Sequence, residues 1–146
     1  MILLMRGLWV GDAMDEAHAD LENLGVGGLL NVAQDLEGTR GWSHGYEYMQ
    51  VGLIDGPGNP MSAYRAAVLA LSVMLRRHDT LVYCHSGGRS LAVALMCLNM
   101  TAGREWDDLM TLMGERVEGY LPVPHQAHRQ AFEAMDFDLL SKAAEE

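Results

Sequence analysis

The stretch from Thr80 to Leu98, "TLVYCHSGGRSLAVALMCL", constrains this chain most. "TLVYC" reads as a short buried strand. Two glycines follow, and then a helix from Ser90 to about Met100. A buried strand followed at once by an apolar helix is the repeating unit of an α/β fold. The rest of the chain repeats the alternation. Ile2 to Met5 and Leu8 to Val10 read as short strands around an Arg-Gly turn. Asp12 is placed to cap a helix over Ala13 to Leu24, with Gly25 as its stop. Gly27 to Ala33 and Tyr48 to Ile54 read as further strands. Between them lies a polar, glycine-rich loop.

"DGPGNP", Asp55 to Pro60, carries strong turn chemistry. Asn59 is expected to cap the following helix, Met61 to about Arg77, with Pro60 in its first turn. Helices around Trp106 to Met113 and Pro124 to Met135 complete the chain. The expected class is α/β, a mainly parallel central sheet flanked by helices. No repeat or linker divides the 146 residues, so one domain over 1–146 is expected.

In such sheets ligands sit at the carboxyl ends of the strands, which is where Cys84 falls. Gly87 and Gly88 permit backbone conformations that other residues avoid. Successive amides can then converge on an anion, helped by the positive end of the following helix. Within the loop His85, Ser86, Gly87, Gly88 and Arg89 are the candidate anion-binding residues. Arg89 offers a planar fork for two oxygens. The same field favours the thiolate of Cys84, the form that attacks. Ser90 can donate a hydrogen bond to the sulfur when it later leaves. The bland alternative is a buried strand-end cysteine before a glycine turn.

Composition narrows the partners. The formal net charge is −10, which argues against nucleic acid or anionic membrane as the main partner. An anion site here must therefore be made locally. The opening "MILLMRGLWVGD" lacks the features of a signal peptide, and Leu91 to Leu98 is too short to span a bilayer. A soluble, cytoplasmic protein is expected. The other cysteine, Cys97, would lie about 12 Å along the helix from Arg89. A disulfide needs Cα atoms within about 7 Å. Cys97 is therefore expected to be a buried apolar residue.

The ordered segments resemble the small dual-specificity phosphatases of the cysteine-based protein tyrosine phosphatase superfamily. "LWVGDAMDEAHADLENLGVGGLLNVA" is similar to the family's opening strand, helix and second strand. "GLIDGPGNP" is similar to its general-acid loop, "LVYCHSGGRSLAVALMCL" to its phosphate loop and following helix, and "VEGYLPVPHQAHRQAF" to its closing segment. The resemblance implies a phosphatase acting on phosphorylated proteins or small phosphate esters, without cofactor or metal. It implies that Cys84 attacks phosphorus and that Arg89 binds the phosphoryl oxygens. It makes Asp55 the general acid, 29 residues before Cys84, and Asn31 the support behind the phosphate loop.

The chain departs from the family pattern in two places. Tyr83 stands where the family has histidine. Four residues, not five, separate Cys84 from Arg89. That shorter spacing resembles the active loop of rhodanese-type sulfurtransferases, where a cysteine persulfide sits in the ring and no general acid is required. Three readings stay open: a phosphatase, a sulfurtransferase, and a non-catalytic phosphate binder. His125 and His128 are expected to be surface or capping residues. Arg40 and Trp42 lie in a loop that could border the pocket. Met96, Met100, Met110 and Met113 are expected in the core.

Overall fold

The structure is a computed structural model that describes residues 1–37, 45–117 and 120–145. Arg40 and Trp42 lie outside the described residues. A five-stranded sheet forms the centre. Its strands are β1 (Ile2–Met5), β2 (Leu8–Gly11), β3 (Val26–Ala33), β4 (Glu47–Leu53) and β5 (Asp79–Tyr83). Their spatial order is β1-β2-β5-β3-β4. β1 and β2 form an antiparallel hairpin, and every other pairing is parallel. The alternation of strands with helices in the sequence thus becomes a mixed, mainly parallel α/β sheet.

β5 occupies the centre, flanked by β2 and β3. Central parallel strands are covered on both faces, so their sequences read as continuous apolar runs. Leu30, Val32 and Val82 face the larger core with helices α2 (Met61–Leu75) and α3 (Gly88–Ala102). Leu29, Leu81 and Tyr83 face a smaller core with Leu21 and Tyr46. Helix α3 is the best-buried helix: Leu91 to Met96 are all inaccessible to solvent. Helices α4 (Trp106–Val117), α5 (Gln126–Ala134) and α6 (Phe137–Glu145) pack on the same core through Trp106, Phe132 and Leu140. Met96 is buried, and Met100, Met110 and Met113 pack against the core as expected. Cys97 is buried too, and burial pushes its thiol up from its ordinary value. Among the described residues no helix is long and apolar enough to cross a membrane.

Three local expectations need correction. Helix α1 is short, Ala13–His18, and does not run to Leu24. Ala19 is extended, and the carboxylate of Asp20 accepts from the Asn23 backbone and side chain, starting a separate turn. The start of α1 is as read: Asp12 and Asp15 form a reciprocal capping box. Asn59 does not cap α2. Pro60 holds the cap position without a side-chain bond, and Asn59 turns back to Ile54 instead. The closing region holds an additional helix, α6, beyond the expected stop at Met135.

Candidate functional site

The site forms where β2, β3, β4 and β5 end. The parallel register brings Gly11, Asn31 and Tyr83 into one row across three strands. Cys84 follows Tyr83 directly and is almost fully buried. Its sulfur accepts from the Gly87 amide at 3.2 Å and the Ser90 amide at 3.4 Å. The Ser90 hydroxyl lies 3.5 Å from it. That hydroxyl also reaches the carbonyls of Gly11 at 2.9 Å and Gly87 at 3.1 Å. A thiol at position 84 can donate to Ser90 Oγ, whereas a thiolate can accept from it. The His85 carbonyl turns outward and accepts from the Ala13 amide, which pins the loop to the start of α1.

Of the two loop glycines, only Gly87 needs to be glycine for its conformation. Its φ is +104°, and a β-carbon there would come 2.5 Å from Leu121 Cδ2. Gly88 already belongs to α3, and a β-carbon would meet its nearest neighbours at ordinary contact distance. Ser86 and His85 are exposed at the mouth. The His85 ring lies 3.8 Å from Asp35.

Arg89 is 3% exposed, a rare state for a guanidinium. Its Nη1 donates to the Leu53 carbonyl at 2.7 Å and to Asp35 Oδ1 at 3.0 Å. The hydrogen bond from Arg89 holds the Asp35 carboxyl below its usual range. Arg89 Nε is buried with no hydrogen-bond partner among the described residues. A buried donor without an acceptor is uncommon, and an oxyanion would satisfy it. Asn31 is also fully buried. It donates to the Leu36 carbonyl and Tyr48 hydroxyl and accepts from the Ala33 amide. Those bonds shape the exit of β3, the turn that presents Asp35 to Arg89.

Asp55 stands two residues beyond the carbonyl that Arg89 grips. Its side chain is 54% exposed, and Oδ1 lies 3.3 Å from His128 Nε2. His128 is fully buried, which corrects the expectation of a surface or capping residue. Its Nδ1 is 2.6 Å from the Tyr64 hydroxyl. His125 does cap, accepting from the Ala127 amide at the start of α5. The loop before Asn59 is closed by that one side chain. Asn59 accepts from the Ile54 amide and donates to the Ile54 carbonyl, both at 2.8 Å. Tyr83 is buried behind the loop, and burial followed by nearby Glu16 pushes its phenol pKa up. No cluster of three metal-ligating side chains occurs among the described residues.

Cys84, Ser90 and the Gly87 amide therefore converge, and Arg89, bound to Leu53, lies with Asp55 at the same end of the sheet. Asp35 and Tyr64 were not picked out from the sequence, and His128 was read there only as a surface or capping residue. Asp35 carried a weak signal as the acidic residue just past a strand end. His128 carried none, since its partners lie 64 and 73 positions away.

Two consequences can be measured. Gly87→Ala is expected to cost about 1–3 kcal/mol in chemical denaturation, because alanine is strained at that φ. Gly88→Ala should be neutral or slightly stabilising. His128 is held below its ordinary 6.5, chiefly by burial, against the opposing pull of Asp55. Below about pH 6.5 the unfolded chain takes up a proton that the native ring refuses, so stability falls with pH. The denaturation midpoint of the wild type should therefore fall more steeply between about pH 7 and pH 5.5 than that of His128→Phe.

No protein-family model and no curated protein sequence matches this chain. Solved structures do. A mouse putative dual specificity phosphatase complexed with zinc tungstate is similar with a TM-score of 0.80 at 21% identity, over 98% of this chain and 90% of that one. Human DUSP28 is similar with a TM-score of 0.72 at 20% identity, over 99% and 98%. A human tyrosine phosphatase-like serine/threonine/tyrosine-interacting protein reaches a TM-score of 0.76 at 17% identity, over 92% and 93%. The chain has the fold of the dual-specificity phosphatases.

Proposed function

We propose that this protein is a cysteine-dependent phosphatase acting on phosphate monoesters, either on phosphorylated side chains or on small aryl phosphates. The observation that carries this reading is the pairing of two half-sites at one end of the sheet. One is a buried sulfur that accepts from two amides, in a loop that also carries a buried arginine. The other is an exposed carboxyl, Asp55, held from behind by a buried ring. A sulfur-transfer site needs the first half but has no work for the second.

In this reading the Cys84 thiolate attacks phosphorus, and the phosphorus–oxygen ester bond breaks. Asp55 gives its proton to the departing oxygen. Arg89 and the loop amides hold the remaining phosphoryl oxygens as charge builds on them. Water then attacks the phosphocysteine and passes its proton to the Asp55 carboxylate. The phosphorus–sulfur bond breaks, and the thiolate re-forms against the Ser90 hydroxyl and the Gly87 and Ser90 amides. Asn31 supports the machinery indirectly, through the turn that carries Asp35. No metal or cofactor takes part. Nucleic acid and membrane surfaces remain unfavourable partners for a chain of net charge −10.

The four-residue spacing between Cys84 and Arg89 favours a second reading, sulfur transfer through a Cys84 persulfide. Hydrolysis of p-nitrophenyl phosphate separates the two. Turnover should disappear in Cys84→Ser. Asp55→Ala should slow it by about 100-fold on substrates with poor leaving groups, within the usual range for a general acid. Formation of thiocyanate from thiosulfate and cyanide, without phosphatase activity, would replace the phosphatase reading. Phosphate binding with neither activity would identify a non-catalytic binder.

A further inference from the structure

His128 sits on α5, yet both of its ring nitrogens serve other elements. The hydrogen bonds allow one consistent assignment of protons. Asn59 Nδ2 donates to the Tyr64 oxygen at 3.3 Å. The single Tyr64 proton then points to His128 Nδ1, 2.6 Å away. A neutral ring with Nδ1 accepting carries its hydrogen on Nε2, 3.3 Å from Asp55 Oδ1. The opposite tautomer would set a bare Nε2 lone pair against a carboxylate and leave the Tyr64 proton to find another acceptor. The charged and titratable groups around the ring are Asp55, Tyr64, His125 and Arg89, and burial opposes its protonation. A phenylalanine would fill the same buried space without the desolvation that an imidazole incurs. The imidazole is matched at both nitrogens, and one partner is the carboxyl already singled out.

We propose that His128 is a positioning residue for Asp55, donating from Nε2 to one carboxyl oxygen so that the other carries the proton given to the leaving group. This rests on the phosphatase reading above. No proton passes through His128: its Nε2 hydrogen stays in place throughout. When Asp55 releases its proton, the same hydrogen meets a carboxylate instead of a carboxylic acid. Hydrogen bonds to ionised acceptors are the stronger ones. The interaction therefore tightens as the proton leaves, which favours the transition state over the ground state. It also confines a side chain that is otherwise 54% exposed. Tyr64 acts one step behind, by fixing the tautomer.

The test compares phenyl phosphate, a poor leaving group, with p-nitrophenyl phosphate, a better one. His128→Phe should lower kcat on phenyl phosphate by about tenfold, a fraction of the general-acid effect, with KM unchanged. The loss on p-nitrophenyl phosphate should be smaller. In an Asp55→Ala background His128→Phe should cost nothing more. His128→Gln, which keeps a donor at the Nε2 position, should recover part of the rate. Tyr64→Phe should show a milder form of the same leaving-group dependence. Equal losses on both substrates, or losses that add to those of Asp55→Ala, would overturn the proposal. If His128→Phe does not fold, the Gln and Tyr64→Phe variants decide the matter alone.

A nitrogen-15 NMR spectrum of the histidine rings separates this proposal from the phosphatase reading. It should show His128 protonated on Nε2 at neutral pH, with its signals shifted in Asp55→Ala. Those results in a protein without turnover would sink the phosphatase reading while keeping the contact. A ring protonated on Nδ1, or indifferent to Asp55→Ala, would overturn the proposal whatever the activity.

Discussion

A buried guanidinium joins the parts of this site. Arg89 leaves the first turn of α3 and reaches the Leu53 carbonyl at the end of β4 and the carboxylate of Asp35 beyond β3. Removing a charge from water is costly unless hydrogen bonds and a counter-charge replace the lost hydration. The position of α3, the exit of β3 and the exit of β4 are thus bound to one another. Asn31 contributes from the sheet interior by holding the turn on which Asp35 rides. If Arg89 were apolar, α3 and the two strand exits would lose their common reference point.

The two halves of the site are built on different principles. The sulfur half is mostly backbone: amides converge on a sulfur because Gly87 adopts a left-handed conformation and α3 begins beside it. The carboxyl half is a chain of side chains, Asn59 to Tyr64 to His128 to Asp55. Asn59 also closes its own loop at Ile54. The halves meet at β4, where Arg89 grips Leu53 only two residues before Asp55. A disturbance of either half is therefore transmitted through a short, well-bonded piece of chain.

What could be read beforehand divides along the same line. The strands, the mainly parallel sheet and the loop from Cys84 to Ser90 were legible, because local hydrophobic pattern and glycine placement encode them. So was the Asp12 cap, which depends on residues three positions apart. The length of α1 was not legible, since an Asp20–Asn23 turn outcompeted a continuing helix with comparable propensity. Asn59 was read as a cap because its type and place before Pro60 suit one. A longer-range contact to Ile54 took its side chain instead. His128 was the least legible, for its meaning lies in residues from two other parts of the chain. The strand order was out of reach for the same reason.

Arg89 also sets how this surface treats electrolytes. It is a buried cation, partly neutralised by Asp35, inside a chain of net charge −10. A dianion drawn to it, as in the proposed function, would be repelled at long range and gripped only within the last few ångströms. Ions in solution damp the distant field over a Debye length of about 8–10 Å and leave close buried contacts largely intact. Moderate ionic strength thus eases the approach of an anionic ligand without loosening its hold, the reverse of what a basic docking surface would show.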